Sequence, residues 1–278
     1  MKKILFFETD EFTGATRVTR TLAKLAKRDY DVAVAKVGFN VVEDIESSIE
    51  LEKPDILFSS FVRINSEVIK IGKQRSLYII IRNDYKLEDV SDDIRQHIIE
   101  SYPQADEIVA QTEVMRQDLL RVLAVDPCKV KVLENPLDTE DILEKINVPD
   151  PFSSRCFHFL WVGRKDPIKD LPTLQQAFEM VHHNYPQTDL TLVSDDPNPY
   201  RWMKYADCLV ISSRSEASPN VLREALFIGT PVISTDCSPT VRQLLPLQNI
   251  VPVQDSKALA EAMIRMIELH DDSRILKQ

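Results

Sequence analysis

The stretch EASPNVLREALFIGTPVIS, residues 216–234, predicts a helix followed at once by a β-strand. Ser218 can cap the helix, Pro219 suits its first position, and Gly229 suits its end. The strand that starts near Thr230 is short and apolar. A helix joined so closely to an apolar strand is typical of α/β proteins with parallel sheets.

The same alternation of short strands and amphipathic helices runs along the whole chain. The predicted strands are KILFF, DVAVAKV, DILFSS, LYIIIR, EIVAQT and VKVL in a first series, and FHFLWV, TDLTLVS, DCLVIS, TPVIS and NIVPV in a second. Between the two series, NVPDPFSSR at residues 147–155 has two prolines and no periodicity, which indicates a linker. We therefore predict an α/β protein with two Rossmann-like domains, residues 1–148 and 149–278, whose parallel sheets face each other across a cleft. Ligands of such domains bind beyond the carboxyl ends of the strands.

Composition argues against several classes of protein. The 278 residues carry a net charge of −10, which argues against a general affinity for DNA or RNA. The four cysteines form no CxxC pair, so the sequence indicates neither a zinc site nor a disulfide framework. No apolar stretch approaches the roughly 18 residues that are needed to span a bilayer. We expect a cytoplasmic protein without nucleic-acid partners.

Two acidic residues flank the start of the helix in residues 216–234. Glu224 lies deep in the helix beside Leu222 and Ala225, and Glu216 lies in the loop before it. A carboxylate among apolar neighbours is costly unless something pairs with it, and the hydroxyls of a ligand could do so. The alternative is that both are solvated surface acids, as most Asp and Glu residues are. The helix N-terminus also suits an anion such as phosphate, because its first N–H groups lack partners within the helix.

A second stretch, FLWVGRKDPIKDLPTLQQAF at residues 159–178, has a strand that ends at Gly163 and a loop before the next helix. The loop contains Arg164 and Lys169. Two cations at the carboxyl end of a strand suit a diphosphate. The alternative is an ordinary solvated loop. In VSDDPNP the pair Asp195-Asp196 favours a turn over a metal site, so no metal ligands are predicted.

In order and spacing, these two stretches resemble the carboxyl-terminal domain of the family 4 glycosyltransferases, retaining enzymes of the GT-B fold. The resemblance is looser in the first half, where it covers KILFFETDEFTGATRVTRTLAKLAKRDYDVAVAKV and ADEIVAQTEVMRQDLLRVLAVDPCKVKVLENPLD. It implies a retaining transferase that moves a sugar from a nucleotide diphosphate sugar, UDP- or GDP-linked, to an acceptor hydroxyl. It also implies that the transfer needs neither a metal nor another cofactor, and that the first domain binds the acceptor and the second the donor.

The resemblance also implies roles for individual residues. Glu216, Arg164 and Lys169 would be the catalytic set, with Glu216 facing the hydroxyls of the donor sugar and the two cations neutralising the diphosphate. Glu224 would hold the ribose hydroxyls of the nucleotide. The remaining substrate-binding positions are Gly14, Ser218, Asn220, Val221, Leu222 and Asn83.

The sequence departs from the family pattern at several places, of which two bear most directly on function. Arg82 and Asn83 stand where the family has a histidine close to the transferred sugar. A further helix and strand of the donor domain are missing before YRWMKYADCLVIS. These departures leave open a second interpretation, a non-catalytic relative that binds sugar nucleotides or glycans.

The first predicted helix has a basic stripe, which we define as Arg17, Arg20, Lys24 and Lys27. Such a face can be merely solvated, or it can attract an anionic membrane or a phosphate-bearing acceptor. The resemblance implies a glycan or lipid-linked acceptor in surface polysaccharide, lipopolysaccharide or glycolipid synthesis. A peripheral contact with the inner face of the membrane is therefore part of the expectation.

Overall fold

The computed structural model describes residues 1–9, 14–153, 156–194 and 196–275. The chain divides into two compact units, Met1–Leu137 and Asp138–Gln278. The boundary predicted after residue 148 lies later in the chain. The segment before it is tied to the second unit, because the Lys145 carbonyl accepts a hydrogen bond of 2.9 Å from Asn198 and the Val148 carbonyl accepts one of 2.8 Å from Tyr205.

The first unit contains a six-stranded sheet in the order β2-β1-β3-β4-β5-β6, with all neighbouring strands parallel. Its strands are β1 Lys3–Thr9, β2 Asp31–Val37, β3 Ile56–Ser59, β4 Tyr78–Arg82, β5 Glu107–Ala110 and β6 Val130–Val132. Consecutive residues Leu5, Phe6 and Phe7 of β1 are all buried, so both faces of this strand are covered. Strands covered on both faces are continuous apolar runs, which explains the sequence KILFF.

Helices connect the parallel strands of the first unit, since a parallel crossover is too long for a tight turn. They are α1 Gly14–Ala26, α2 Val41–Glu52, α3 Val62–Gln74, α4 Asp92–Ser101 and α5 Glu113–Val122. On α1, the side chains of Val18 and Ala23 are buried while Lys24 is exposed, and Lys27 directly after the helix is exposed as well. The helix therefore buries one face, although Leu25, which was expected on that face, is 40% exposed.

The second unit contains a five-stranded sheet in the order β11-β10-β9-β7-β8, again parallel throughout. Its strands are β7 Phe157–Val162, β8 Thr188–Val193, β9 Cys208–Ile211, β10 Val232–Thr235 and β11 Ile250–Val251. Its helices are α6 Thr139–Lys145, α7 Leu171–Asn184, α8 Tyr200–Tyr205, α9 Asn220–Ile228, α10 Pro239–Leu244 and α11 Ser256–Ile275. Helices α7 and α11 pack on the sheet through Val181 and Met263, both fully buried.

Two Rossmann-like units with parallel sheets confirm the predicted fold class. The strand FHFLWV and the helix LPTLQQAFEMVHHN have the predicted bounds. Strand β8 lies at the edge of its sheet, and the short helix α8 begins soon after it at Tyr200. This arrangement agrees with the missing helix and strand noted in the sequence. Among the described residues, no helix is long and apolar enough to cross a membrane.

Candidate functional site

Lys169 and Glu216 meet at the carboxyl edge of the second sheet. Their atoms Nζ and Oε1 lie 2.5 Å apart, and the side chains are 21% and 16% exposed. Ser213 donates a hydrogen bond of 2.7 Å to the same carboxylate oxygen. The backbone N–H of Glu216 donates to the Cys237 carbonyl at 2.9 Å, so the loop after β9 is fixed to the segment after β10. The structure thus places two of the predicted catalytic side chains together.

The loop after β7 is clamped to the loop after β9. Ser212 donates to the Lys169 carbonyl at 2.8 Å, and the N–H of Arg214 donates to the Ile168 carbonyl at 2.8 Å. Asp170 is buried in a left-handed backbone conformation with φ of 49°. Its carboxylate accepts a hydrogen bond of 3.0 Å from Arg214 and one of 2.9 Å from Thr173. Burial opposes ionisation, but the bonds from Arg214 and Thr173 outweigh it and lower the pKa of Asp170.

Arg164, the third predicted catalytic residue, has an exposed side chain in the same loop. It follows Gly163, where a Cβ atom would lie 3.2 Å from the ring of Trp161. That spacing is tighter than ordinary van der Waals contact, so the glycine lets the chain leave β7 over the tryptophan. Arg164 therefore lies in the same loop as Lys169 of the ion pair, but its side chain is exposed to solvent.

Glu224 lies on the buried face of α9 and is 5% exposed. Its neighbours Leu222 and Ala225 are fully buried. The alternative interpretation of Glu224 as a solvated surface acid is therefore wrong. Burying a carboxylate on an otherwise apolar helix face costs free energy unless it is paired, and the role of Glu224 in binding ribose stays a prediction.

The start of α9 differs from the prediction at the cap. The N-cap position is Pro219, in an extended conformation and without a side-chain cap, and the helix begins at Asn220. Ser218 is not the cap; it is buried one residue earlier and accepts a hydrogen bond of 3.3 Å from Thr240. The N–H of Leu222 donates to the Pro219 carbonyl at 3.2 Å. The helix end agrees with the prediction, since Gly229 has φ of +92°.

At the start of the helix, Asn220 and Val221 are both partly exposed. Their position at the first turn is the one that the prediction requires for backbone contacts with an anion. Gly14 begins α1 and is exposed, whereas the preceding residues 10–13 lie outside the described part of the chain. Within α1, Arg20 donates two hydrogen bonds, 2.7 and 3.0 Å long, to the buried carboxylate of Glu8. One cation of the predicted basic stripe is thus neutralised within the unit.

At the carboxyl edge of the first sheet the structure brings together a buried polar cluster that the sequence did not predict as a unit. Arg82, only 1% exposed, donates to Asp84 and to Asn135. Gln111 donates a hydrogen bond of 3.2 Å to Asp84, and Asn83 donates one of 2.6 Å to the Tyr85 carbonyl. Burial raises the pKa of Asp84 to about 6, although the cation of Arg82 and the bond from Gln111 act against this shift. The feature of the sequence that could have indicated this cluster is the run of three polar residues, Arg82 to Asp84, at the end of an apolar strand.

A second polar layer lies in the same unit. Ser59, the last residue of β3, donates a hydrogen bond of 2.6 Å to Asn65. Asn65 in turn donates one of 2.8 Å to the hydroxyl of Tyr102. All three side chains are buried. Burial raises the pKa of Tyr102, and the negative charge of Asp84 adds to the rise. Ser59, Asn65 and Tyr102 therefore satisfy one another's hydrogen bonds inside the first unit.

The turn interpretation of VSDDPNP is supported by Asp196, whereas Asp195 lies outside the described residues. The Asp196 carboxylate accepts hydrogen bonds from the N–H of Asn198 at 2.8 Å, Arg201 at 2.9 Å and the Trp202 indole at 2.8 Å. Within the described ranges, no three His, Cys, Asp or Glu side chains are grouped so that they could hold a metal ion.

The second unit is similar to a known protein family. The segment from residue 153 to residue 269 corresponds to the family described as Glycosyl transferases group 1. The second unit thus matches the group 1 glycosyltransferases. The region matched to the glycosyltransferases contains Arg164, Lys169, Glu216 and Glu224, whereas Gly14 and Asn83 lie outside it.

Two curated relatives are also glycosyltransferases. An uncharacterized glycosyltransferase of Methanocaldococcus jannaschii is 22% identical over 317 aligned positions, 89% of this chain and 76% of that protein. The N-acetylgalactosamine-N,N'-diacetylbacillosaminyl-diphospho-undecaprenol 4-alpha-N-acetylgalactosaminyltransferase of Campylobacter jejuni is 26% identical over 201 positions, 60% of this chain and 52% of that protein.

Solved structures extend the likeness to the fold of both units. The crystal structure of Anabaena HepE in complex with UDP-glucose has a TM-score of 0.75 and 14% identity, covering 98% of this chain and 91% of that one. Sucrose-phosphate synthase from Thermosynechococcus elongatus also has a TM-score of 0.75, with 14% identity over 96% of this chain and 90% of that one. The fold is that of the GT-B glycosyltransferases.

Proposed function

We propose that the chain is a retaining glycosyltransferase that moves a sugar from a nucleotide diphosphate sugar, UDP- or GDP-linked, to an acceptor hydroxyl. The observation that carries the proposal is the Lys169–Glu216 pair, 2.5 Å long, inside the region that matches the group 1 glycosyltransferases. It lies at the carboxyl edge of a parallel sheet, where ligands of such sheets bind.

In this proposal each charged side chain has one task. Glu224 binds the ribose hydroxyls, and Glu216 binds hydroxyls of the donor sugar. Arg164 and Lys169 hold the diphosphate, with Lys169 contacting both the leaving phosphate and Glu216. Negative charge grows on the leaving oxygen as the glycosidic bond breaks, so a fixed cation there stabilises the transition state more than the ground state.

Backbone groups complete the proposed donor site. The first turn of α9, at Asn220 and Val221, contributes N–H groups to the phosphates, with Ser218 and Leu222 shaping the turn. Gly14, which carries no side chain, leaves room for sugar or acceptor. Because Lys169, Arg164 and the helix end already supply positive potential, the proposed transfer does not require a divalent metal. Activity that persists in EDTA would support this part of the proposal.

For the acceptor, we propose a glycan or a lipid-linked sugar, used in surface polysaccharide, lipopolysaccharide or glycolipid synthesis. The name of the Campylobacter relative contains a diphospho-undecaprenol acceptor, which is consistent with this class. The exposed Lys24 on α1 and Lys27 directly after it suit a peripheral contact with an anionic surface at the inner face of the membrane.

The test is a thermal-shift screen of UDP- and GDP-linked sugars, followed by assays of transfer and of slow donor hydrolysis. A ligand at 100 times its dissociation constant raises the free energy of unfolding by roughly 2.7 kcal/mol. A shift that is lost in Glu224→Gln and kept in the exposed control Glu179→Gln would support the proposed donor site. No shift with any sugar nucleotide would contradict the proposal.

A second candidate is a non-catalytic relative that binds the same ligands. The observation that favours it is the buried Arg82, which stands with Asn83 where the resembled family has a histidine. Binding without any transfer or donor hydrolysis would select this alternative.

A further inference from the structure

A cysteine, a histidine and an aspartate lie together at the amino edge of the second sheet. Cys156 directly precedes β7, His158 is the second residue of β7, and Asp189 pairs with His158 from the neighbouring strand β8. The Cys156 Sγ atom lies 3.6 Å from Nδ1 and 3.8 Å from Nε2 of the imidazole. The Asp189 Oδ2 atom lies 3.6 Å from the same Nδ1. We call these three side chains the amino-edge cluster.

The histidine of the amino-edge cluster is held in a fixed position. Its side chain is only 7% exposed, and its backbone N–H donates a hydrogen bond of 2.8 Å to Asp207. The ring of Phe152 stacks on the imidazole with a centroid distance of 4.0 Å. Thr191 donates a hydrogen bond of 3.1 Å to the Asp189 carboxylate and so holds this group as well. The thiol of Cys156 therefore faces an imidazole that cannot turn away easily.

The other three cysteines of the chain have different surroundings. Cys208 and Cys237 are buried, and burial raises the pKa of both thiols, that of Cys237 to about 11. Cys128 is exposed, but its thiol donates a hydrogen bond to the carboxylate of Asp126, whose negative charge disfavours a thiolate. Cys156 combines partial exposure with a neighbouring base.

The chemistry of the amino-edge cluster is that of an assisted thiol. The thiolate, not the thiol, is the nucleophile, so a group that takes the proton increases the reactivity. The imidazole of His158 can take this proton, and the resulting imidazolium then faces both the thiolate and the negative charge of Asp189. A thiolate attacks the sulfur of a disulfide through a mixed-disulfide product.

We propose that Cys156 is a site of reversible modification by small disulfides, with His158 as the base and Asp189 as a positioning residue. In the step, His158 takes the thiol proton and the Cys156 sulfur attacks one sulfur of the disulfide. The S–S bond of the reagent breaks, a mixed disulfide forms on Cys156, and the departing thiolate takes the proton from the imidazolium. A reducing thiol reverses the step in the same way.

This site is separate from the candidate donor site. Strand β7 has six residues, which span about 20 Å at about 3.3 Å per residue. The amino-edge cluster lies at its first residues, whereas Arg164 and Lys169 follow its other end. The inference therefore does not rest on the proposed transferase function. Calorimetry with UDP and GDP tests the donor site, and a failure there would leave this site unaffected.

The experiment measures the rate of modification at two cysteines of the same full-length chain. The reagents are oxidised glutathione and the neutral 2-hydroxyethyl disulfide, and peptide mass spectrometry follows Cys156 and Cys128. An unassisted thiol with an ordinary pKa of about 8.5 is only about 3% ionised at pH 7. At this pH we expect Cys156 to react about ten- to thirtyfold faster than Cys128, although it is the less exposed of the two. At about pH 9.5, where most unassisted thiols are ionised, the difference should fall to about threefold or less.

Substitution of the base gives a second test. His158→Gln should slow the reaction of Cys156 about tenfold or more at pH 7 and change it little at about pH 9.5, where the thiol ionises without help. A change in packing alone would alter both rates. Asp189→Asn should slow the reaction about two- to fivefold at pH 7, as for a partly exposed charge pair. His183→Gln, an exposed histidine of α7, is the matched control and should react as the wild type does.

Thermal unfolding checks that His158→Gln folds, because this side chain is buried. The comparison of Cys156 with Cys128 in the wild type needs no substitution and tests the proposal even if that variant is unstable. The proposal is wrong if Cys156 reacts no faster than Cys128 at pH 7 with either reagent. It is also wrong if a folded His158→Gln reacts as fast as His183→Gln at that pH.

Discussion

At the carboxyl edge of the second sheet Lys169 and Glu216 form a partly exposed ion pair, whereas at the same edge of the first sheet Arg82 and Asp84 form a buried one. The second unit also has Arg214 paired with Asp170 in its loop. Water reaches one edge and is largely excluded from the other. Charge at the accessible edge can be exchanged for the charge of a ligand, whereas charge at the buried edge must be balanced within the unit.

The two edges also use hydrogen bonds differently. Around Glu216, Ser213 and the backbone form a loop clamp that resembles ordinary structural support. Around Asp84, three neighbouring atoms remain without partners in the described chain. The Glu216 oxygen that contacts Lys169 also accepts a hydrogen bond from Ser213, whereas Asp84 keeps one buried carboxylate oxygen without a hydrogen-bond partner among the described residues. The following predictions test this comparison in order of decreasing effect.

The largest effect is expected from Arg82→Ala, because it leaves the buried Asp84 without its cation. Removing one partner of a buried pair typically costs about 3–5 kcal/mol of the free energy of unfolding. The matched change at the accessible edge, Arg164→Ala, should cost far less since that side chain is exposed. Chemical denaturation at pH 8 measures both. Equal losses would mean that the two edges do not differ in the way described.

The same variant has a defined pH dependence. In the wild type, burial raises the pKa of Asp84 in the folded state to about 6, well above the ordinary value of an aspartate. The folded state therefore holds a proton that the unfolded state has lost, and stability declines as the pH rises from about 4 to about 6. Arg82 lowers this pKa, so Arg82→Ala should extend the decline to higher pH. A loss of stability that is the same at pH 5 and pH 8 would contradict this account.

The next effect concerns turnover. Lys169→Ala should lower the transfer rate about 100- to 1,000-fold, as expected when a cation is removed from a developing negative charge. Its effect on thermal unfolding should be small, because the pair with Glu216 is partly exposed. Lys165→Ala, four residues earlier and exposed, is the matched control. The measurement is the initial transfer rate of the wild type and both variants with the donor found in the screen. A wild-type rate in Lys169→Ala would mean that this loop does not contact the donor.

The residues of the second edge were easier to group from the sequence than those of the first edge, for a physical reason. Arg164 and Lys169 lie in one loop, and Glu216 and Glu224 bracket one helix start, so each half of the site can be recognised within a single stretch. The first cluster joins Arg82 to Asn135 across 53 positions, and it forms only when β4, β5 and β6 become neighbours. Asn83 was predicted to bind substrate, and this stays a prediction; the contact of its carbonyl with Gln111 after β5 could not be inferred before the strand order was known.

The cap of α9 shows a different limit. Ser218 and Pro219 each fit a helix start, and propensity alone does not decide which residue holds the cap. In the folded unit Ser218 is buried against Thr240 of α10, a contact that no local rule contains. Tertiary packing therefore moved the cap by one residue, while Gly229 at the other end followed its local preference for a left-handed conformation.

A smaller loss is expected from Glu224→Gln at the second edge. Losing a charged hydrogen bond to ribose should weaken binding of the nucleoside diphosphate by roughly 1.5–3 kcal/mol. The amide has nearly the same shape as the carboxylate, so the apolar packing of α9 is retained. Calorimetric titration measures the change, with Glu179→Gln on the solvent side of α7 as the control. Unchanged affinity would show that Glu224 does not bind ribose.

The smallest effects concern the basic stripe of α1, where the structure separates two kinds of cation. Arg20 is bonded to the buried Glu8, whereas Lys27 is exposed. If the stripe attracts anionic vesicles, Lys27→Gln should weaken binding by about 1 kcal/mol, the typical contribution of one basic residue near such a surface. The double variant Glu8→Gln/Arg20→Gln removes the internal pair without altering the net charge, so it should leave vesicle binding nearly unchanged. Cosedimentation with anionic liposomes at low salt compares the three proteins, and the signal should fade at physiological ionic strength, where charges are screened over about 8 Å. Equal weakening in both variants would mean that Arg20 also contacts the vesicle surface. If the wild type does not bind vesicles, the proposed peripheral contact with the membrane is wrong.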